Sequence, residues 1–330
     1  MKKCLIYICL LGGMLCFAGC GAESESSEDR DVIVAGDYYI AAIDANGEVH
    51  IAYQTDREYD DISDTFGGRV DKWMKNAGFP VGISEEGDLI LPKGQSYEEL
   101  VLEEQRVQEE LPLGAVYGEG HVADLYAAEK MQDWKELQMV TGDYPGCTLG
   151  VLKDGSLCEA GITERVGSLD EVLSWSNIVD AAVLYSGESI IGLDGEGNVH
   201  TRGFEDVEWT DVVEIEAGNT IVFGLKQDGS VVHTEDYFGK DYSTEGMKDI
   251  VFIAVGYDAE ASRDVVYGIR KDGKVVDRLG QEVPGFADMV EIDVTMAEGI
   301  IVGRNAEGKL VVSQEADENF KKLVEKYNQK

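Results

Sequence analysis

The sequence is short of the residues that catalysis, metal binding and nucleic-acid binding most often use. It has four histidines in 330 residues, and four of its six cysteines lie within the first twenty. Lysine and arginine total 28 against 65 acidic residues, a formal net charge of −37. Such a chain repels nucleic acid and anionic head groups. Beyond the first twenty residues, no apolar run approaches the length of a membrane-spanning helix.

Motifs for common chemistries are also missing. The chain has no HxxxH, HExxH, CxxC, GxSxG or phosphate-loop glycine pattern. One stretch, Asp44 to Glu48, resembles part of a calcium loop, but it lacks the third carboxylate and the downstream bidentate glutamate. We therefore interpret it as a hairpin turn. With 65 acids, no single carboxylate pair indicates a glycosidase. The sequence predicts no catalytic residue, no metal site and no cofactor.

The N-terminus has the features of an export leader. Lys2 and Lys3 precede an apolar run from Leu5 to Phe17, which is too short to span a bilayer. The following Ala18-Gly19-Cys20 resembles a bacterial lipobox. The resemblance implies a signal peptide over 1–19, lipid on Cys20 and a polar tether over 20–34. The alternative is an ordinary secretory signal. Loss of the leader would leave 26 basic against 65 acidic residues, a net charge of about −39.

Two cysteines, Cys147 and Cys158, remain for the exported part. An exported protein could join them by a disulfide. A two-residue turn at Asp154-Gly155 would place Cys158 opposite residue 151, about four residues along the ladder from Cys147, or roughly 13 Å. A disulfide needs Cα atoms within about 7 Å. We therefore expect two free thiols.

A hairpin pattern recurs along the chain. Apolar and polar residues alternate, a polar turn ends in glycine, and a second alternation follows. Glycine suits such turns because positive φ costs it nothing. Three histidines, His50, His200 and His233, fall near one recurring strand position, which explains them as part of the repeat. The pattern occurs seven times, at 41–53, 81–93, 149–161, 190–203, 222–235, 266–278 and 301–314.

A second element precedes most of these turns by 20 to 26 residues. It is a large apolar head residue followed by a short strand that ends in valine and an acid. The heads are Phe66, Trp134, Trp175, Trp209, Met247, Phe286 and Phe320, and the recurring acids include Asp71, Asp180, Glu214 and Glu291. We interpret these acids as a structural position. Head, middle strand and hairpin together predict a four-stranded unit.

The first hairpin has no head before it, and Phe320 is a head with no hairpin after it. This arrangement predicts ring closure by a strand at about 320–325. A surface helix is the alternative, because Phe320, Leu323, Val324 and Tyr327 also fit a period of 3.6. Closing a sheet ring removes exposed strand edges. The sequence thus predicts an all-β, closed seven-bladed β-propeller over 35–330 with one helical insertion.

The repeats resemble those of the regulator-of-chromosome-condensation family, whose members form seven-bladed propellers. The likeness rests on the heads Trp134, Trp175 and Trp209, the Asp-Gly turns, and closing glycines at 161, 203 and 280. It covers roughly residues 32 to 325. It implies the fold but little about function. Members of the family act on a small GTPase and chromatin, or inhibit β-lactamases. An exported acidic chain meets neither chromatin nor a cytosolic GTPase, and no β-lactamase-inhibiting motif is present. WD-repeat and kelch propellers match less well.

The insertion at about 95–130 breaks the repeat. Ser96 to Glu99 form a capping box, and an apolar stripe that includes Tyr97, Leu100 and Val101 predicts a short helix. The stripe either packs on the propeller or helps to form a binding platform. Aromatic residues outside the recurring positions form a second candidate surface. These are Tyr237, Phe238 and Tyr242.

These features favour a binding or scaffold protein rather than an enzyme. We expect it to be lipid-anchored on the extracellular side of the cell membrane, which it contacts only through the anchor, and to hold a basic extracellular protein. One alternative is a glycan-binding or glycan-cleaving propeller, although the tryptophans are used as repeat heads. The other is a secreted inhibitor of a cell-wall enzyme.

Overall fold

A computed structural model describes residues 32–36, 38–54, 63–66, 70–74, 80–90, 131, 134–143, 147–160, 167–184, 188–204, 207–236 and 242–329. Within these ranges the chain forms seven antiparallel sheets of three strands, each with its strands in sequence order. We number the sheets in chain order and call the first, second and third strand of each the inner, middle and outer strand. Sheets 1 to 3 consist of β1 Ile33–Ala35, β2 Tyr39–Ile43 and β3 Val49–Tyr53; β4 Lys72–Trp73, β5 Gly82–Ile83 and β6 Leu89–Ile90; and β7 Leu137–Asp143, β8 Cys147–Leu152 and β9 Leu157–Ala160.

Sheets 4 to 7 continue the same plan. Their strands are β10 Ile178–Leu184, β11 Ser189–Asp194 and β12 Val199–Arg202; β13 Val212–Ala217, β14 Val222–Lys226 and β15 Val231–His233; β16 Ile250–Asp258, β17 Arg263–Arg270 and β18 Val275–Asp277; and β19 Met289–Val294, β20 Ile301–Asn305 and β21 Leu310–Val312. The described helices are α1 Ser63–Phe66, α2 Asp170–Leu173 and α3 Glu318–Asn328. None of them is long and apolar enough to cross a membrane.

The glycine-ended turns join the second and third strands of each sheet, as predicted. In sheet 3, Leu152 N donates to Ser156 O, and Gly155 closes the turn with φ of 78°. The loop therefore has three residues, and the predicted two-residue turn is wrong by one position. Cys158 pairs with Gly150 rather than with residue 151. The prediction of two free thiols is confirmed, because Cys147 and Cys158 form no disulfide.

A glycine in the middle strand makes room for the head residue in five of the sheets. A Cβ at Gly150 would lie 3.0 Å from the Trp134 ring, and one at Gly192 would lie 2.9 Å from the Trp175 ring. Such distances are closer than side chains normally tolerate. The same relation joins Gly224 to Trp209, Gly268 to Met247 and Gly303 to Phe286. Each of these head residues therefore packs against a middle-strand glycine that lies much later in the sequence.

Each sheet has three strands, so the predicted four-stranded unit is wrong. The head residues precede the inner strand without forming a strand of their own, as at Trp175 and Trp209. The connections also leave no room for another strand. In sheet 5 the inner strand ends at Ala217 and the middle strand begins at Val222. The segment that was expected to form a separate middle strand continues the inner strand, as Ala181 to Leu184 do in β10.

Consecutive sheets are hydrogen-bonded into a ring. Ile178 N, at the start of sheet 4, donates to Gly155 O in the turn of sheet 3 at 2.9 Å. Equivalent bonds join sheets 2 and 3 and every later pair as far as sheet 7. Sheets 1 and 2 share an apolar cluster that contains Phe66 and Trp73. Sheet 7 meets sheet 1 where Ile33 N donates to Glu291 Oε1 at 3.1 Å. The seven sheets thus form a closed seven-bladed propeller.

The predicted closing strand at 320–325 is wrong, because this segment lies within the helix α3. Asp317 caps the helix by accepting a hydrogen bond from Asn319 N. Phe320, Leu323 and Tyr327 are buried on one face at the spacing of a helix. The inner position of sheet 1, which the tail was expected to fill, is taken by β1.

The start of the propeller also differs from the prediction. The tether was expected to end at residue 34, but Ile33 and Val34 are buried strand residues of β1. The insertion at about 95–130 lies outside the described residues, and so do the signal peptide and Cys20.

Candidate functional site

The inner strands surround the centre of the ring, and their carboxylates bridge neighbouring sheets. Asp180 Oδ2 accepts a hydrogen bond from Ile215 N of the next inner strand at 3.1 Å. At the meeting of sheets 7 and 1, Asp293 Oδ2 accepts from Ala35 N at 2.7 Å. Glu291, 2% exposed, accepts from Ile33 N and also pairs with Arg304 Nε at 3.0 Å. The interpretation of the recurring acids as structural is confirmed for Asp180 and Glu291.

A small cavity lies among these inner strands. It is lined by residues of sheets 1, 2, 5, 6 and 7, including Trp73, Glu216 and Phe252. Its volume of about 30 Å³ suffices for one or two water molecules and not for an organic substrate. This cavity is therefore too small to hold a partner molecule.

Asp44, Glu48 and His50 form a group in which one potential ligand atom of each lies within 4.8 Å of the others. Asp44 Oδ1 accepts from Asn46 N and Glu48 N at 2.8 and 3.0 Å, and Oδ2 is 3.0 Å from His50 Nε2. These contacts close the turn of the first hairpin.

The hairpin of sheet 4 has the same arrangement without the second acid. Asp194 Oδ1 accepts from Glu196 N and Asn198 N, and Oδ2 is 3.2 Å from His200 Nε2. Since Asn198 replaces the glutamate there, the Asp–His pair serves the hairpin itself. The interpretation of Asp44 to Glu48 as a hairpin turn agrees with this geometry.

Two buried carboxylates in sheets 5 and 6 share one hydroxyl group. Thr220 Oγ1 lies 3.1 Å from Asp236 Oδ2 and 2.8 Å from Asp264 Oδ2. A hydroxyl has one proton and can donate to only one of them. Burial raises the pKa of Asp264, while hydrogen bonds from the backbone of Asn219 and Thr220 oppose the rise. This network ties the two sheets together.

Tyr242 is the one predicted partner-binding residue within the described ranges, and it is packed against its own sheet. Its hydroxyl donates to Asp264 O at 3.1 Å, and its ring contacts those of Phe223 and His233. Burial raises its pKa, and the Arg278 guanidinium lies 5.2 Å from the ring centre. Ring and hydroxyl are thus both engaged within the protein. The other predicted residues, Tyr97, Leu100, Val101, Tyr237 and Phe238, lie outside the described ranges.

A feature that the sequence analysis did not identify is a set of exposed valines at the start of consecutive inner strands. Val179, Val213 and Val251 are each the second residue of their strand. The recurring valine, which precedes an acid at Val179 and Val213, was visible in the sequence. The exposure of the valine side chain was not visible, because that exposure depends on the register of the neighbouring strand.

Comparisons with known proteins give similarity in structure alone. No family model and no curated protein matches the sequence. Prp20p from Saccharomyces cerevisiae, the yeast RCC1, is 11% identical, with 90% of this chain and 85% of that chain covered and a TM-score of 0.49. The WD40 beta propeller domain of Doa1 is 14% identical, with 88% and 95% covered and a TM-score of 0.46.

The computationally designed Ika8 protein is 15% identical, with 86% of this chain and 96% of that chain covered and a TM-score of 0.47. The seven repeats and the ring of seven sheets described above identify the fold. The chain is a seven-bladed β-propeller.

Proposed function

We propose that this protein is a non-catalytic binding scaffold, held by lipid on Cys20 at the outer face of the cell membrane, whose partner is a basic extracellular protein. A propeller provides a rigid ring whose loop-bearing faces can hold a partner. The fold by itself serves many functions, so the residues must carry the argument.

The observation that carries the proposal is the use of the inner carboxylates. Asp180, Glu291 and Asp293 lie on inner strands, and each accepts a backbone hydrogen bond from the next sheet. Glu291 is in addition paired with Arg304. Carboxylates held in this way stabilise the ring, which leaves recognition to the faces.

Charge supports a basic partner. A net charge of −37 produces a field that attracts cationic proteins and speeds their association. Exposed charges are screened within about 8 Å at physiological ionic strength. Binding should therefore weaken steeply as salt is added. We propose that the insertion at 95–130, with Tyr97, Leu100 and Val101, takes part in binding, together with Tyr237 and Phe238.

Membrane anchoring is tested by Cys20→Ala. We expect the variant to leave the membrane fraction or to stall during processing, since lipidation of the cysteine is the proposed anchor. Cys16→Ala, a change within the leader, is the matched control and should leave membrane attachment intact. Mass spectrometry that finds an unmodified mature N-terminus beyond residue 20 would contradict the anchor.

Partner binding is tested by capture from intact cells with the full chain and with a variant lacking 96–111. We expect the full chain to retain a basic protein that is released by salt, and the deletion to retain less of it. Equal capture by a folded deletion variant would show that the insertion takes no part. A partner that resists high salt would contradict the electrostatic basis.

No specific observation favours the glycan alternative. The rings of Trp134, Trp175 and Trp209 pack over glycines of their own sheets. A glycan platform needs such rings displayed at an opening. A screen of cell-wall and mucin glycans tests this directly, and we expect no binding.

A further inference from the structure

Four large apolar side chains are exposed among the described residues, and three of them share one position of the repeat. Val179, Val213 and Val251 are 39%, 55% and 37% exposed and lie second in the inner strands of sheets 4, 5 and 6. The fourth, Leu279, is 55% exposed and follows the outer strand of sheet 6. Single exposed apolar residues are ordinary. An exposed valine that recurs at the same position in three consecutive sheets is not a chance distribution of single residues.

Each valine is the extra residue of a β-bulge. Ile178 pairs with Asp194 and Asp180 pairs with Leu193, so Val179 faces no residue of the neighbouring strand. The same break in register occurs at Val213 and Val251. A bulge changes the direction in which a side chain points. The backbone therefore turns these valines outward.

The bulge positions of neighbouring sheets lie side by side. In sheet 3 the corresponding residue is Gln138, and its Nε2 donates to the carbonyl oxygen of Val179 at 2.9 Å. A side chain at one bulge thus reaches the next bulge. Because the sheets repeat around the ring, Val179, Val213 and Val251 stand at similar spacing. We call these three residues the valine arc.

Two members of the valine arc, Val179 and Val213, lie in a strongly acidic part of the sequence. From residue 166 to residue 225 the sequence contains twelve acids, and its only lysine or arginine is Arg202. Gly197, in the turn of sheet 4, accepts a hydrogen bond from Val212 N, which places Glu196 of that turn beside the start of sheet 5. Asp211 directly precedes this strand, and both acids are exposed.

We propose that the valine arc is the apolar centre of a docking surface for a basic, partly apolar segment of a partner protein, whose lysines or arginines contact Glu196 and Asp211. The inference rests on the proposed binding function and names the surface that performs it. Burial of the valines would supply contact area, and the acids would select for cationic side chains. Charge complementarity identifies the occupant, since a second copy of this acidic chain would be repelled.

The test measures binding of two synthetic peptides to the purified full chain by fluorescence anisotropy. One peptide alternates leucine and lysine, and the other alternates serine and lysine with the same charge. We expect the leucine peptide to bind more tightly. The variant V179Q/V213Q introduces the side chain that sheet 3 carries at position 138. In this variant the tighter binding of the leucine peptide should disappear, and its affinity should fall about tenfold.

Two further variants separate the parts of the surface. Leu279→Gln removes an equally exposed apolar side chain away from the valine arc and should bind like the wild type. Glu196→Gln combined with Asp211→Asn should weaken both peptides, and asparagine suits the positive φ at position 211, as Asn177 does in sheet 4. Melting temperatures close to wild type confirm that each variant is folded.

The outcomes distinguish the surface from the function. If V179Q/V213Q binds the leucine peptide as tightly as Leu279→Gln does, the valine arc is not the docking surface, while the binding function survives. If the wild-type chain binds neither peptide, the basic-partner function and the surface fail together.

Discussion

The hydroxyl of Tyr327 donates a hydrogen bond to the carbonyl oxygen of Ile43 at 3.1 Å, across 284 residues of sequence. The same ring lies edge-on to His50, with centroids 5.4 Å apart. Asn319 Nδ2 donates to Tyr53 O, and Asn328 makes two bonds to the backbone of Leu310. Helix α3 therefore holds the outer strand of sheet 7 against the hairpin of sheet 1.

The buried face of this helix should be important for stability. Phe320 is fully buried in the cluster that joins sheets 7 and 1. Phe320→Ala is expected to lower the free energy of unfolding by about 3–5 kcal/mol. Lys322→Ala, on the exposed face, should have little effect. Thermal and urea denaturation measure both, and equal melting of the two variants would mean that the helix does not hold the ring.

Glu291 joins sheets 7 and 1 at the inner strands. Glu291→Ala removes the acceptor of Ile33 N and leaves Arg304, whose side chain is 18% exposed, without its carboxylate. Breaking such a buried pair costs about 3–5 kcal/mol. Glu307→Ala breaks the exposed pair with Lys309 and should melt like the wild type. Denaturant titration compares the two, and an equally small effect would show that the inner carboxylate does not stabilise the ring.

The raised pKa of Asp264 predicts a pH dependence of stability. Its ordinary value is 3.8, and burial raises the pKa in the folded protein. The native state then binds the proton more tightly than the unfolded chain. The stabilising contribution of this group is full below pH 3.8 and is lost as the pH rises through the folded pKa.

Asp264→Asn cannot titrate, so its stability relative to wild type should improve as the pH rises from about 4 to 7. Asp228→Asn is the control, because hydrogen bonds from Ser230 lower the pKa of Asp228 and move its titration below this range. Melting temperatures across the range measure the trend. A relative stability of Asp264→Asn that stays constant with pH would contradict it.

The thiol of Cys158 should react slowly. Burial raises its pKa to about 11, so about one thiol in a thousand is ionised at pH 8. Alkylation by iodoacetamide, followed by mass spectrometry, should accelerate about tenfold for each pH unit up to about 10. Cys147 is 1% exposed and should react only after unfolding. A rate that levels off near pH 8.5 would contradict the raised pKa, and a 147–158 disulfide would contradict the register.

The sequence was sufficient where the determining interactions are local. A polar turn ending in glycine, such as Lys153 to Gly155, specifies a hairpin through the conformation of a few residues. Seven such turns were enough to predict seven sheets and the ring. The length of the turn was misjudged by one residue, because a three-residue loop with glycine in the left-handed region satisfies the same pattern.

The sequence was insufficient where distant segments compete for one place. Phe320 fits both a head position and the apolar face of a helix, and the outcome depends on β1 filling the inner position of sheet 1. The candidate surfaces show the same limit. The sequence suggests Tyr242 as an exposed anchor, but its hydroxyl donates a hydrogen bond to the carbonyl oxygen of Asp264. The sequence also suggests that Val213 is an ordinary strand residue, but it lies in a β-bulge.

The joint between sheets 1 and 7 has a mechanical consequence. Every other pair of neighbouring sheets is joined by the chain itself, but here the ring is held together by non-covalent contacts, chiefly those of β1 and α3. A pulling force applied at residue 32 would act on β1, a short strand whose residues Ile33, Val34 and Ala35 pair with β2. Under such a load the ring would open at this joint first, while the six remaining sheets kept their shape.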